Sequence, residues 1–475
     1  MLLLAFVNFY KCAKIGENAI VEGSWFFLEN CSFCTQIEAF MQKKNWLAKG
    51  LIALLIVASC QPAKKLVVPA PPPPPPPVVT PEIKEDPMFA TMLKNYPGLL
   101  DSLLPHRKDR NIQIIYTEIN RDERGAPILK KHYFNRQDDA YFYPASTAKL
   151  PVALLALQKL NELGVPGLDK NTTMITEAAY SGQTPVYNDP NTANGKPSIA
   201  QYIKKILLVS DNDAYNRLYE FLGQEYINAS LAKKGYQKTQ LLHRLDIFLT
   251  EDENRHSNPV NFYNAYNKLV YSKPLLFNKT PYTGRQDFLG KGYYSNGKLV
   301  TGPMNFSKKN RITLDELHQV LTSVIFPETL AASQRFNLTE DDRAFILQYM
   351  SQLPSESFYP SYDSSYYDAY VKFLLYGSEP GTLPKHIRIF NKVGDAYGQL
   401  TDVAYIVDFK NNIEFMLSAT IYCNDDGILN DDKYDYNTVG FPFMKNLGKA
   451  VYDYELGRKR NFKPDLSSLI FTYNK

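Results

Sequence analysis

Hydrophobic positions change their spacing several times along this chain, and the changes mark its parts. Met88, Met92, Leu99, Leu100, Leu103 and Leu104 keep helical spacing, interrupted at Pro97-Gly98. Residues 111–119 are apolar and β-branched and read as a strand. Arg124-Gly125 is a turn, and residues 128–134 are a second strand. Residues 150–157 are apolar on every side, the pattern of a buried helix. Residues 199–208 and 214–222 are further helical stretches. Near the other end, residues 386–393, 403–408 and 413–422 are strands, with Lys410-Asn411-Asn412 as the turn between the last two, and residues 443–454 are a closing helix. Strands at both ends with helices between them predict an α+β fold. It is a three-layer α/β/α sandwich whose antiparallel sheet comes from both chain termini, with an all-helical subdomain inserted.

The first 87 residues follow other rules. Residues 51–59 are a short apolar run ending at Cys60, with Lys43, Lys44 and Lys49 upstream, the layout of a secretory signal. The run is too short to span a bilayer comfortably. Val57-Ala58-Ser59-Cys60 resembles the lipobox of bacterial lipoproteins, which implies cleavage before Cys60, a lipid on its thiol and a place in the bacterial cell envelope. The signal begins sensibly at Met41, so residues 1–40 read as a mis-called start, and the Cys31-Ser32-Phe33-Cys34 run inside them carries no metal or redox argument. Seven of the 31 prolines stand at 71–77, so residues 60–87 read as a lipidated cysteine and a stiff tether. That leaves residues 88–475 as one body.

Composition narrows what the body does. Hydrophobic residues at 44% against 21% charged exclude wholesale disorder, and a net charge of +4 does not advertise a nucleic-acid partner. Five cysteines are too few for a disulfide scaffold. The six histidines lack ligand spacing, so no metal and no cofactor is expected. A monomer is expected.

Three short elements carry candidate chemistry. Ser146 and Lys149 stand three apart at the start of the buried helix and share a face. A serine hydroxyl needs a base, and a lysine serves if burial or nearby cations depress its pKa. The first helical turn also offers free N–H groups to an oxyanion. Ser230 and Lys233 repeat the spacing, but Lys234-Gly235-Tyr236-Gln237 behind them cannot continue a buried helix, so context favours Ser146. Ser210-Asp211-Asn212 lies between two helices. It is either a helix cap or a loop that lends Ser210 as proton relay and Asn212 as ligand for a substrate amide. Lys392-Val393-Gly394 ends a strand, where a cation can orient a substrate carboxylate and a glycine lets substrate backbone approach.

In this order the three elements resemble the S-x-x-K, S-D-N and K-T-G boxes of class A β-lactamases and penicillin-binding proteins. His243-Arg244-Leu245-Asp246 is similar to the R-L-D that opens the Ω loop of class A enzymes. The resemblance covers about residues 88–475. It implies a β-lactamase/transpeptidase-like fold and a serine hydrolase. Ser146 would be acylated by a β-lactam or a peptidoglycan-type amide or ester, with Lys149 as base and Ser210 as relay. Asn212 and Lys392 would be substrate ligands beside Gly394, and the Ser146 and Asp395 N–H groups would form the oxyanion hole. A penicillin-binding D,D-carboxypeptidase, or a lipoprotein that binds envelope fragments without hydrolysing them, are the alternatives on the same fold.

The chain departs from the family pattern in three ways. Ile247-Phe248-Leu249 occupies the positions nearest to those of the deacylating glutamate; Glu251 and Glu253 are within reach in sequence but do not reproduce its spacing. Val393 replaces the box threonine, whose hydroxyl helps hold the β-lactam carboxylate. Both count against efficient β-lactam turnover, not against acylation. The distance from Ser210 to Lys392 is also long, with an insertion at about 247–311 and a smaller, Tyr-rich excess around 355–384. From 258 to 311 there are nine Lys and Arg and one acid, Asp287, interleaved with tyrosines. This predicts either a solvated basic flap or a rim for an anionic envelope substrate that depends on Lys308 and Lys309; an extracytoplasmic lipoprotein argues against single-stranded nucleic acid. The acidic loop at 425–435 reads as a solvated turn, and Cys423 as a buried small hydrophobe.

Overall fold

The computed structural model describes residues 86–99 and 104–473; what is expected of the signal segment, Cys60 and the proline block lies outside the described residues. Five antiparallel strands form the central sheet: β1 (Gln113–Arg121), β2 (Pro127–Phe134), β3 (Ile387–Ala396), β4 (Gln399–Asp408) and β5 (Ile413–Tyr422). Their order is β3-β4-β5-β1-β2, so the first strand of the body sits beside the last of the sheet. Alternate residues go to opposite faces. Ile115, Ile119, Val403 and Tyr405 join one hydrophobic cluster, and Ile114, Tyr116, Ala404 and Ile406 the other. Strand β4 is buried at every position because both faces are covered, whereas the edge strand β2 alternates with solvent.

The helices complete the layers. They are α1 (Lys149–Leu163), α2 (Ile199–Val209), α3 (Asn212–Leu222), α4 (Leu314–Ile325), α5 (Glu340–Ser351) and α6 (Phe441–Gly457). Helix α4 packs on one face of the sheet, where His318 bridges Thr117 and Ser418 at 2.8 Å each. Helix α6 and the short Met88–Met92 helix take the other face. The inserted helical part is α1, α2, α3 and Gln224–Lys233. Helix α1 is buried along most of its length, as its apolar run requires, and stops at Gly164, whose φ of 58° ends the helix in the left-handed region. The helical spacing at 88–104 is split: Met88–Met92 is a helix, residues 93–96 interrupt it, Pro97, Gly98 and Leu99 are helical again, and Leu104–His106 is a 3-10 turn, so the break falls just before Pro97-Gly98 rather than on it.

Strand β4 begins at Gln399, four residues before its expected start, after a two-residue turn at Tyr397-Gly398 in which both φ values are positive. Polar residues hid this half of the strand: Asp402 is fully buried and accepts the N–H groups of Phe373 and Leu374.

The basic insertion is a set of hairpins, not a loose flap. Val260–Tyr263 pairs with Leu269–Lys273 and with Thr173–Thr176. Gly292–Ser295 pairs with Lys298–Thr301 and, in parallel, with Ile428–Leu429 from the acidic loop. Part of its charge is buried: Lys273 Nζ donates to Asn258 O and Ser257 Oγ, and Arg285 sits over Asp287. Cys423 is free and buried.

Candidate active site

Ser146 lies on a single 3-10 turn, Ala145–Ala148, that runs into α1. The turn is bent sharply into place, with Ala145 at φ 47°, a region costly for a residue with a Cβ. Its neighbours in the turn are buried and Ser146 is half-buried, so it is the one residue of the turn left partly open to solvent. Lys149, the first residue of α1, is fully buried and pairs with no carboxylate among the described residues. Its Nζ donates to Ser210 O, to Ser210 Oγ at 3.3 Å and to Asn212 Oδ1 at 2.6 Å. Burial pulls its pKa down to about 7, against the weaker pull of Asp211, Asp395 and Asp246. An amine held this way is largely able to accept a proton near neutral pH. No hydrogen bond joins it to Ser146 Oγ here, and such bonds often tighten only with substrate bound.

The Ser210-Asp211-Asn212 loop is cap and site at once. Ser210 ends α2 at φ 62° and ψ 38°, and Asp211 caps α3 by accepting the N–H of Ala214 at 2.8 Å. The cap thereby turns its two neighbours into the cleft. Asn212 spans from Lys149 to Asp246, donating to Asp246 Oδ2 at 3.3 Å, so a substrate amide would displace a partner already in place. Ser210 Oγ also accepts from Lys392 Nζ at 2.8 Å. It therefore joins two lysines and keeps its own hydrogen for a third group, which suits a relay.

Lys392 is buried, and burial followed by the Lys149 charge holds its pKa well below the usual lysine range. Behind its strand, Lys372 donates to Asn391 Oδ1 at 2.7 Å, and Asn391 donates to Asp402 at 2.9 Å, a buried chain that fixes β3. Val393 packs into the cluster under the sheet. Gly394 has a structural reason beside the one expected. A Cβ there would stand 2.6 Å from Pro144 O, 2.8 Å from Thr147 N and 2.9 Å from Ser146 N. The glycine admits the protein's own serine turn, and this brings the 394–395 stretch against the Ser146 N–H. The Asp395 side chain is exposed by area, yet protein atoms crowd it; that desolvation raises its pKa against the pull of Lys392 and Lys149.

Arg244 of the R-L-D run is buried against Glu220 at 2.9 Å and reaches Glu253 O, His256 O and Asn258 Oδ1. One guanidinium thus ties down both ends of the loop it opens. The structure does not bring the two candidate deacylating glutamates to Ser146. Glu251 pairs with Lys308 and Arg255, and Glu253 closes a capping box with Thr250 and accepts Ser181 Oγ at 2.7 Å. Helix-start chemistry and basic neighbours occupy them instead. Ser230 and Lys233 sit at the end of the Gln224–Lys233 helix, with Lys233 in solvent.

Two features escaped the sequence. Asp246 orients Asn212, a contact between positions 34 apart, although its R-L-D match marked it. An aromatic cluster also walls the cleft beside Ser146. Tyr143 stacks on His243 with ring centres 6.0 Å apart and meets Tyr397 and Phe306 edge-on at 5.1 Å and 5.8 Å. His243 opens the R-L-D run and Tyr143 stands three residues before Ser146, but Phe306 and Tyr397 lay in no motif.

The profile of the beta-lactamase enzyme family matches residues 106–454. A comparison with curated proteins gave no match. Among solved structures, a β-lactamase from Desulfarculus baarsii is 16% identical, with a TM-score of 0.42, over 79% of this chain and 100% of that one. One from Xanthomonas campestris is 14% identical, with a TM-score of 0.41, over 77% and 97%. A class A β-lactamase from Clostridium kluyveri is 15% identical, with a TM-score of 0.41, over 75% and 98%. The profile match spans well over half of the sequence and takes in Ser146, Ser210 and Lys392 together, and the chain therefore belongs to the beta-lactamase enzyme family.

Proposed function

We propose that this protein is an acylating serine hydrolase whose Ser146 attacks a β-lactam or a peptidoglycan-type amide or ester. The observation that carries the reading is the environment of Lys149: a fully buried amine, bonded to Ser210 and Asn212, with a pKa near 7. In the mechanism Lys149 takes the Ser146 proton, directly or through Ser210, as Oγ bonds to the carbonyl carbon. The oxyanion falls to the N–H groups of Ser146 and Asp395. Ser210, held by Lys392, then passes a proton to the leaving nitrogen or oxygen. Release of the acyl group by water is the slow step, because Glu251 and Glu253 are engaged elsewhere.

Mass spectrometry of the purified protein with a penicillin and with a fluorogenic ester tests this. A transient adduct, absent in Ser146→Ala, supports hydrolysis, and a persistent one supports the penicillin-binding carboxypeptidase alternative. No adduct with either reagent overturns acylation and leaves a binding lipoprotein. Anchoring at the bacterial envelope through Cys60 belongs to the same reading. Labelling with a fatty-acid analogue that survives Cys60→Ala would refute it.

A further inference from the structure

A cavity of about 820 Å³ opens beside the active site, between the segment that follows the R-L-D run and the basic insertion. That volume suits a small organic ligand. Its connection to the catalytic centre is short. Asp246, which holds Asn212, is followed directly by Ile247 and Phe248 on the cavity wall, and the His243 ring on Tyr143 forms another part of the lining.

The lining has two kinds of surface. Ile247, Phe248 and Phe288 are 39%, 96% and 50% exposed, apolar area with no cover among the described residues. Beside them stand four cations, Arg255, Arg285, Lys308 and Lys309; the one carboxylate in the lining is Glu251, and Asp287 lies behind Arg285 at 3.3 Å. Arg255 and Lys308 both use Glu251. Lys309 has no hydrogen bond or ion pair for its ammonium among the described residues; it meets only the rings of Phe306 at 5.8 Å and Tyr397 at 5.5 Å. Arg285 is 8% exposed and bonded through Nε and Nη2, while its buried Nη1 has no hydrogen-bond partner among the described residues. A buried guanidinium nitrogen without an acceptor, an unpaired ammonium and an open apolar wall together call for one ligand chemistry.

We propose that this cavity is a substrate subsite for a carboxylate carried on an apolar stem, in the acyl side chain of a β-lactam or in an acidic peptide; this rests on the acyl-serine reading above. The basic insertion then selects anionic substrates through Lys309 and Arg285, and Lys308, which is 75% exposed and paired with Glu251, contributes at the rim.

The test uses the full chain with carbenicillin and benzylpenicillin, which share the reacting ring and differ by one side-chain carboxylate. A dansylated acidic pentapeptide ending in D-alanyl-D-alanine is bound separately to Ser146→Ala. The expected result is faster acylation by carbenicillin at low salt. The carbenicillin-to-benzylpenicillin ratio should fall about fivefold in Lys308→Ala/Lys309→Ala, and in 0.5 M NaCl for the unmodified chain. Acylation by both with an unchanged ratio overturns the subsite. Lys309-dependent peptide binding without any β-lactam adduct upholds the subsite and refutes acylation by β-lactams. Neither acylation nor peptide binding overturns both.

Discussion

Gly394→Ala should disable the serine without altering any side chain that does chemistry. The added Cβ would sit 2.6 Å from Pro144 O, 2.8 Å from Thr147 N and 2.9 Å from Ser146 N. All three are backbone atoms of the turn that carries the nucleophile, one of them its own nitrogen, so no side chain can swing away. Ordinary contact begins at 3.4 Å, so the turn and β3 must part by about 0.8 Å. Ala145 already holds a strained φ of 47°, and the 3-10 turn runs straight into a buried helix, which leaves little room to yield. A displacement of that size at a reacting atom is worth about 100-fold in rate, and overpacking costs roughly 1–3 kcal/mol of stability. The assay is a time course of the Ser146 adduct by mass spectrometry, with urea unfolding in parallel. Wild-type acylation and wild-type stability together would refute the close-approach argument. Lost stability with an unchanged rate would refute its catalytic half and leave a packing role.

Acylation should rise with pH through an apparent pKa near 7, because Lys149 must be neutral to accept the serine proton; a rate flat or falling from pH 6 to 8 would refute this. Because the folded pKa lies below that of the unfolded chain, the unfolded state binds the extra proton between about 7 and 10.5, so this lysine's contribution to stability rises with pH across that window, and urea midpoints measured in it should follow. Arg244→Met leaves Glu220 with only Arg217, at 3.0 Å, and frees the loop ends, for an expected loss of about 3 kcal/mol by urea unfolding; a loss under 1 kcal/mol would contradict it. Glu251→Gln and Glu253→Gln should each leave the decay of the adduct within about twofold of wild type, and a tenfold slowing in either would identify a deacylating base.

What could be read in advance depended on how local the physics was. Strands β1 and β5 were legible because helices cover both faces of the inner sheet and leave apolar, β-branched runs. The first half of β4 was not, because Gln399, Thr401 and Asp402 are polar, and Thr401 and Asp402 find their partners far along the chain. Ser146 with Lys149, and Ser210 with Asn212, stood out because each pair lies within a few residues. Their meeting with Lys392 could be expected only from the order of the boxes. The insertion could be read as charge and not as structure: its strands are two to five residues long. Lys273, counted there as a surface cation, is buried among carbonyl oxygens, and burial takes its pKa to about 7.

Two of the three departures from the family pattern, on the proposed reading, concern different steps. Val393 sits in the core under β3, so losing the hydroxyl removes a hydrogen bond to a bound carboxylate without filling the cleft. On the proposed reading that would weaken capture of a β-lactam, and the proposed cationic subsite would recover it. The replaced glutamate concerns release. In its stretch of chain Phe248 lies 96% exposed, and the next acids serve a helix start and Lys308. On the proposed reading, the groups that would serve acylation, Lys149, Ser210 and Lys392, are joined by hydrogen bonds, while no glutamate stands in the stretch that usually serves release. On the proposed acyl-serine reading, such a protein would hold its acyl group longer than it takes to acquire it, and the proposed subsite in the insertion would choose which carboxylate-bearing substrate is held.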